Sequence, residues 1–498
     1  MGIRSGRQYI DSLDDGRVIH AGGQRVADVT AAPAFRGVID TIAALYDAQH
    51  DARHRDVLTF TPDGAEQPVS ATYFPARTQR EAERLLACFR ARADLTYGLM
   101  GRLSDFMSAW CMDQVEALTF MGRGAAAEKA RWYRDFVRDH DLAITHTLID
   151  PQTDRGNDAA PDETVRIVER RADGIVVRGA RLLSTLAPVA NELVLGPYQP
   201  RQPGEEDKCL LFSLPLNAPG LTILCREPYS EGRSVFDRPL TSRYDEGDAI
   251  LLFDDVFVPD ERVIVAGDLE AFNNLIPLYP GYTTMQAVAR STAKLRFLTG
   301  VAALAARVTG RDRLPRYREL LGELVSHLNV AEGIERACTY DIAERLAAYA
   351  DGRPIGVDKL QCAGRTQPRV GTSAVISFFP LVNKTAYDTI RIIAGSGPIA
   401  FTEQDFEDPA LNPLLERLMI GPGIPARMRL QAMKLIWDIT GEQFGSRQAL
   451  YERHYSGDPV KNMLMMSYSP KYAEAEALVF RLLGWDLDAG QPRVVNGQ

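Results

Sequence analysis

The sequence predicts an α+β protein in three parts: an N-terminal helical domain, a central antiparallel β-barrel and a C-terminal helical bundle. Three observations carry that prediction. Apolar residues recur at helical spacing up to about residue 142. Short β-branched segments separated by Pro, Gly and Asn fill the next stretch of about 125 residues. The helical period then returns at about Ala271. The expected divisions are 1–142, 143–270 and 271–498.

In the first part, Val38, Ile42, Leu45 and Tyr46 share one helical face. Glu81 to Arg92 and Arg131 to Leu142 repeat the pattern, with Leu85, Leu86 and Phe89 in one and Trp132, Phe136 and Val137 in the other. In the second part, Thr164 to Glu169 and Gly174 to Arg178 flank Asp173-Gly174, a hairpin signal. Strands are also expected at Glu192 to Leu195, Cys209 to Leu214, Leu221 to Cys225 and Ala249 to Val258. Tyr198 to Lys208 is polar with two prolines and reads as an exposed loop. In the third part, Leu295, Leu298, Ala302 and Ala305 mark one helix, Leu320 to Leu328 the next and Ala331 to Ala350 another. Val375 to Ile393 and Met428 to Ile439 follow.

The 498 residues are 45% apolar and 25% charged, enough for a large core. Asp and Glu outnumber Lys and Arg by 66 to 57, a net charge of −9. That balance argues against non-specific binding to nucleic acid or anionic membranes, and leaves a small molecule or a protein as partner. Cys88, Cys111, Cys209, Cys225, Cys338 and Cys362 are too scattered for a structural zinc or iron–sulfur site. His50 and His54 have no third ligand nearby, so no metal is expected. The polar N-terminus lacks the apolar core of a secretory signal. Asn273, Asn274, Pro277, Pro280 and Gly281 interrupt the longest uncharged stretch found, Ala271 to Ala289. A soluble, cytoplasmic protein is expected.

Phosphate-loop, dinucleotide-fold, zinc-protease and serine-hydrolase motifs are all missing. Three stretches stand out instead. Two glycines bracket the apolar run of Tyr97-Gly-Leu-Met-Gly-Arg102, whose bland reading is a loop arginine paired with Asp105. His146 begins His146-Thr-Leu-Ile-Asp150-Pro-Gln-Thr-Asp154-Arg155 at the helix-to-strand boundary, where a lone histidine is more often structural than catalytic. Ser184-Thr185 is a hydroxyl pair ending a strand.

Together with Gly6-Arg-Gln-Tyr9, Val26-x-Asp-Val-Thr30-x-x-Pro-Ala-Phe35, Leu240-Thr-Ser-Arg-x-Asp-Glu-x-Asp248, Phe444-Gly-x-Arg447-x-x-Leu-Tyr451 and Tyr455-Ser-Gly457, these stretches resemble one family. It is the oxygenase component of 4-hydroxyphenylacetate 3-monooxygenase and its relatives, over about 450 residues in consistent order. The resemblance implies an acyl-CoA dehydrogenase-like fold, usually a homotetramer. It implies FAD, delivered as FADH₂ by a separate NAD(P)H-dependent reductase, and O₂ as co-substrate. In that family a flavin C4a-hydroperoxide transfers oxygen to the carbon ortho to a phenol hydroxyl.

By the same resemblance, Arg102 and His146 are the catalytic, phenol-binding pair: a fixed cation and a titratable imidazole. Phe106 stands where the hydroxyphenylacetate enzymes carry a pocket tyrosine, and Pro197 and Tyr198 begin the substrate lid. The flavin is expected against His146, Thr147, Leu148, Gln152, Thr153, Asp154, Arg155 and Thr185, with Ser456, Gly457, Asp458 and Pro459 closing its ring side. Arg290 to Phe297 and Gly395 to Gly397 would lie near the dinucleotide tail. An iron–sulfur dehydratase of the same family has its first two cluster cysteines where Arg102 and Phe106 stand, so that variant is not expected. The charged lid (Arg201, Glu205, Glu206, Asp207) leaves two readings open: a solvated loop, or an opening for a larger substrate such as a carrier-tethered aminoacyl phenol. The alternative activity on this scaffold is dehydrogenation or dehydration of an acyl thioester, which would keep its flavin bound and need no O₂.

Overall fold

In the computed structural model, residues 2–154, 162–230, 232, 234–352, 369–467, 470–486 and 493–494 are described. Helices precede and follow a sheet region, as the hydrophobic period predicts. The sheets also recruit the N-terminal part. Val18–Ala21 and Gln24–Val26 form an antiparallel pair, and Val18–Ala21 runs parallel to Leu221–Cys225. The six-stranded sheet continues through Ala249–Pro259, Gly174–Arg181 and Arg166–Arg171. A four-stranded sheet orders Val263–Ala266, Leu210–Pro215, Glu192–Leu195 and Ile144–Thr147.

The expected barrel is not closed by hydrogen bonds among the described residues. The two sheets instead pack face to face, with Phe212 of one set edge-on to Phe253 of the other at 6.3 Å between centroids. The hairpin loop is Ala172-Asp173, because Gly174 already pairs with Arg171 in the ladder.

Helix Tyr282–Val308 organises the bundle. It packs on Gln79–Leu95 and Ser104–Phe120 from the N-terminal part, and on Pro315–Ala350, Phe379–Ala394 and Ala426–Thr440 from the C-terminal part. Asp113, on Ser104–Phe120, accepts from the backbone N–H groups of Gly281, Tyr282 and Thr283 at 2.9, 3.0 and 2.8 Å. A carboxylate there satisfies the orphan donors and complements the helix dipole. The close approach of the loop before Arg102 depends on Gly98. Its φ is +65°, and a Cβ would meet the Arg290 carbonyl and Lys294 nitrogen, both at 2.4 Å.

Two helical expectations change. Pro315–Ala350 is one continuous helix of 36 residues, because Gly322 and Gly333 face open space and neither breaks it. Before Phe379–Ala394 the chain makes a π-type turn over Ala374–Phe378, where Pro380 cannot donate to the ladder. Cys88, Cys111, Cys209, Cys225 and Cys338 are buried thiols, and Cys362 lies outside the described residues. No described helix is long and apolar enough to cross a membrane. No described group of His, Cys, Asp and Glu could hold a metal ion.

Candidate active site

The strand Ile144–Thr147 is buried along its whole length and pairs in parallel with Glu192–Leu195. Thr145 donates its hydroxyl to the Thr185 carbonyl, which ties the strand to the segment beyond Arg181. His146 follows, 5% exposed, with both ring nitrogens buried and without a hydrogen-bond partner. Phe106 and Trp110, on Ser104–Phe120, stand edge-on to the imidazole at 5.7 and 6.5 Å. Burial, and secondarily the Arg102 charge, push the His146 pKa well below its ordinary 6.5, while Asp248 opposes the shift.

Arg102 sits at the end of the glycine-bracketed loop. Its guanidinium lies over both the Phe106 ring at 4.2 Å and the Tyr455 ring at 4.1 Å, in the corner these two edge-on rings make. Nη2 donates to the Tyr455 carbonyl at 2.7 Å, whereas Nη1 is buried and unpartnered. The pairing with Asp105 is not made; Asp105 accepts from Gln286 at 3.0 Å.

A second set of charges fixes this loop from behind. Glu246 accepts from the backbone N–H groups of Gly101 and Arg102 at 2.8 and 3.2 Å, and from Arg447 at 2.6 Å. Arg447 also grips Asp248 with two bonds of 2.8 and 3.1 Å. Asp248 in turn accepts from Arg226 at 3.2 Å and from the Thr185 hydroxyl at 2.8 Å. Burial would raise the Asp248 carboxyl, yet Arg447, Arg226 and Thr185 hold it well below the usual carboxylate range. Leu183 and Leu186 flank Ser184-Thr185 at φ of +56° and +66°, a left-handed geometry that costs each about 1 kcal/mol or more and turns this segment sharply.

The remaining predicted residues fall on three edges. The Thr147 hydroxyl is buried without a partner, and the Leu148 carbonyl accepts from Arg181 at 3.0 Å. Gln152, Thr153 and Asp154 are exposed, and Arg155 lies outside the described residues. Ser456 accepts from Asn462 through its carbonyl at 3.1 Å, Asp458 from the Val460 N–H at 2.8 Å, and Pro459 opens the helix Pro459–Ser467. Pro197 is buried. Tyr198 receives the Asp458 N–H on its hydroxyl, and Gly457 (φ +99°) has no room for a Cβ, which would lie 1.6 Å from that oxygen. So the lid and the 456–459 turn touch. Arg201 holds the lid to Asp150 at 2.7 and 2.9 Å, and Arg181 shares the same carboxylate. This loop is therefore anchored rather than merely solvated. Arg290 turns inward, 1% exposed and paired with Glu452.

Glu246, Asp248, Arg226, Arg447 and Tyr455 were not expected in roles here. The available signal was the spacing Arg447, Tyr451, Tyr455, four residues apart each time, which puts a cation and two phenols on one helical face. The orphaned Thr147 and Ser184 hydroxyls and the sharp Leu183–Leu186 turn fit the polar edge of a flavin, which needs a few fixed donors and acceptors along an otherwise apolar wall.

Comparison with known proteins agrees with this chemistry. The family models for the N-terminal and C-terminal regions of 4-hydroxyphenylacetate 3-hydroxylase match residues 5–265 and 279–484. The 4-hydroxyphenylacetate 3-monooxygenase oxygenase component of Thermus thermophilus is 35% identical over 92% of this chain and 92% of its own length. A crystal structure of such an oxygenase component, in complex with FAD and 4-hydroxyphenylacetate, covers 96% of this chain and 99% of its own at 33% identity and a TM-score of 0.84. A further relative, from Streptomyces globisporus, is 30% identical over 91% of this chain and 85% of its own. It is named (3S)-3-amino-3-(3-chloro-4-hydroxyphenyl)propanoyl-[peptidyl-carrier protein SgcC2] monooxygenase. The chain belongs to the 4-hydroxyphenylacetate 3-hydroxylase family.

Proposed function

We propose that the chain is the oxygenase component of a two-component flavin monooxygenase that hydroxylates a 4-hydroxyphenyl compound ortho to its hydroxyl, giving a catechol. The observation that carries this reading is a pair of unsatisfied groups beside an aromatic wall. Arg102 Nη1 and both His146 nitrogens are buried without partners next to Phe106 and Trp110. Buried polar atoms are rarely left unpaired, so the pair supports an acidic oxygen on an aromatic ring as the missing partner.

His146, held neutral by burial and Arg102, accepts the phenol proton. Arg102 stabilises the phenolate that results, which enriches the ortho carbon for electrophilic attack. The Phe106 and Trp110 rings and the buried Pro197 exclude water from the reacting face. When bound, along Thr147, Leu148, Gln152, Thr153, Asp154, Thr185 and the 456–459 turn, reduced FAD activates O₂ so that one oxygen atom enters the ring and the other leaves as water.

The partner that follows is a separate reductase. The charged lid and the carrier-linked substrate named for the Streptomyces relative support a para substituent that extends past the lid, up to a carrier-tethered thioester. Exposed Leu381, Leu418, Met428, Val460 and Leu482 on the C-terminal helices support association with further copies of the chain, for which the resemblance implies a homotetramer. The direct test supplies NADH, FAD and a generic flavin reductase to a panel of para-substituted phenols, free and as thioesters. A product heavier by one oxygen, formed only with O₂, is expected. Flavin oxidation to H₂O₂ with every phenol unchanged would overturn the reading.

A further inference from the structure

Behind the phenol site three side-chain rings and two guanidinium groups cluster: Phe106, Tyr451, Tyr455, Arg102 and Arg290. The Arg102 guanidinium lies over both the Phe106 and the Tyr455 rings, which stand edge-on to each other, and Arg290 also lies over the Tyr455 ring at 4.5 Å. Arg290 is itself fixed by Glu452. Lys294 donates to Glu452 at 2.9 Å and to Gln448 at 2.6 Å, and Gln448 donates to the Leu99 carbonyl at 2.9 Å. Burial pushes Lys294 down to about 8 despite that carboxylate. Two cations over its ring and its own carbonyl bonded to Arg102 restrict the Tyr455 side chain.

Its hydroxyl is nevertheless unsatisfied. Tyr455 is 7% exposed and its oxygen is buried with no partner, as are Arg102 Nη1 and both His146 nitrogens. Four orphan polar atoms thus belong to residues joined through one ring, Phe106, which is edge-on to His146 at 5.7 Å and to Tyr455 at 6.5 Å. Tyr451 also has an orphan hydroxyl, but that oxygen is pressed against the backbone of Gly101, whose Cβ would lie 2.1 Å away. Phe106 cannot bond a phenol oxygen, and a site left with only a cation and an imidazole would lack a neutral hydroxyl donor.

We propose that Tyr455 supplies this donor: its hydroxyl binds the substrate's phenol oxygen, beside Arg102 and His146, in place of a hydroxyl at position 106. The inference rests on the phenol-hydroxylase reading above and names a third substrate-binding group for it. It also assigns the Arg290–Glu452 pair the task of holding the ring against Arg102.

The test uses probes that carry only the ring and its hydroxyl, so that the natural para substituent does not matter. Dissociation constants for 4-methylphenol and for toluene are measured anaerobically on the full-length protein with reduced FAD bound. Tyr455→Phe keeps the ring cluster and removes one oxygen. It is expected to weaken 4-methylphenol about tenfold, the worth of one well-placed hydrogen bond, and to change toluene less than twofold. Phe106→Tyr placed in the Tyr455→Phe background is expected to recover most of the loss. Equal loss for both probes would show a packing role, and no loss for either would show no contact; each overturns the assignment. A parent protein that does not prefer 4-methylphenol to toluene would overturn the phenol site itself, a result distinct from failure of Tyr455 alone.

Discussion

The proposed phenol end of the site and the charge network behind it are built from similar residues in opposite states. Glu246, Asp248, Arg447 and Thr185 spend their hydrogen bonds on one another and on backbone. Arg102 and His146, on the other side of one loop, leave three nitrogens buried and unpartnered. Burial is comparable, so burial alone does not tell a support from a binding site. Saturation does. A saturated cluster defines positions, and an unsaturated one of the same depth waits for a ligand.

The sharpest way to break this contrast is to remove one member of each set and read activity and stability together. His146→Ala is expected to lower hydroxylation by about 10²–10⁴-fold while flavin oxidation continues as H₂O₂ release, as for loss of a general base. Arg102→Ala should behave alike. Because the His146 ring makes no hydrogen bond to other side chains in the folded chain, the thermal midpoint should move little. Near-normal catechol yield from either variant would remove that residue from the chemistry.

Arg447→Met should show the reverse emphasis. It strips the shared cation from two buried carboxylates and should destabilise the fold by about 3–5 kcal/mol. Differential scanning calorimetry checks it, and a midpoint within a degree or two of the parent would show that the network is not a support. Phe106→Tyr is smaller and tests the unsaturated side: in the Tyr455→Phe background, where the phenol oxygen lacks its hydroxyl donor, turnover of free 4-hydroxyphenyl acids should rise up to about tenfold, or ~1.4 kcal/mol, for one restored hydrogen bond. A bulky or tethered substrate should gain nothing, which kcat/KM for an acid and its thioester would separate.

The smallest effect is on pH. The folded pKa of His146 lies well below the 6.5 of the unfolded chain, so as pH falls below 6.5 the unfolded state binds a proton the folded state does not, and stability drops. His146→Asn removes that term. Between pH 6.5 and about 5.5 it should lose about 1 kcal/mol less than the parent in urea unfolding. Parallel losses in the two proteins would mean His146 is not held neutral.

Local pattern reached the elements whose partners lie nearby. Glu192–Leu195 and Leu221–Cys225 are read from their β-branched runs with the observed ends. Val18–Ala21 and Gln24–Val26 are not, because His20, Gln24 and Arg25 spoil any apolar alternation and the strand is set by pairing with residues some two hundred positions on. The same limit divides the site. Arg102, His146 and Thr185 stand out through resemblance to a family, whereas the roles of Glu246, Asp248 and Arg447 exist only once three distant segments meet. Whether the loop at Pro197 to Lys208 is held or free was equally invisible, since it turns on Arg201 finding Asp150.

The bond from Arg102 to the Tyr455 carbonyl spans 353 positions of sequence. Long-range closures of that kind form late and slowly, after the entropy of the intervening chain has been overcome. During synthesis, the chain up to the end of the sheets can fold while the cluster around Arg102 is still missing its C-terminal half, because domains fold as they emerge. The ribosome must therefore have translated past Tyr455 before the proposed phenol site is complete. A nascent or C-terminally clipped chain carries the strand and its histidine without the ring and carbonyl that hold Arg102 in place.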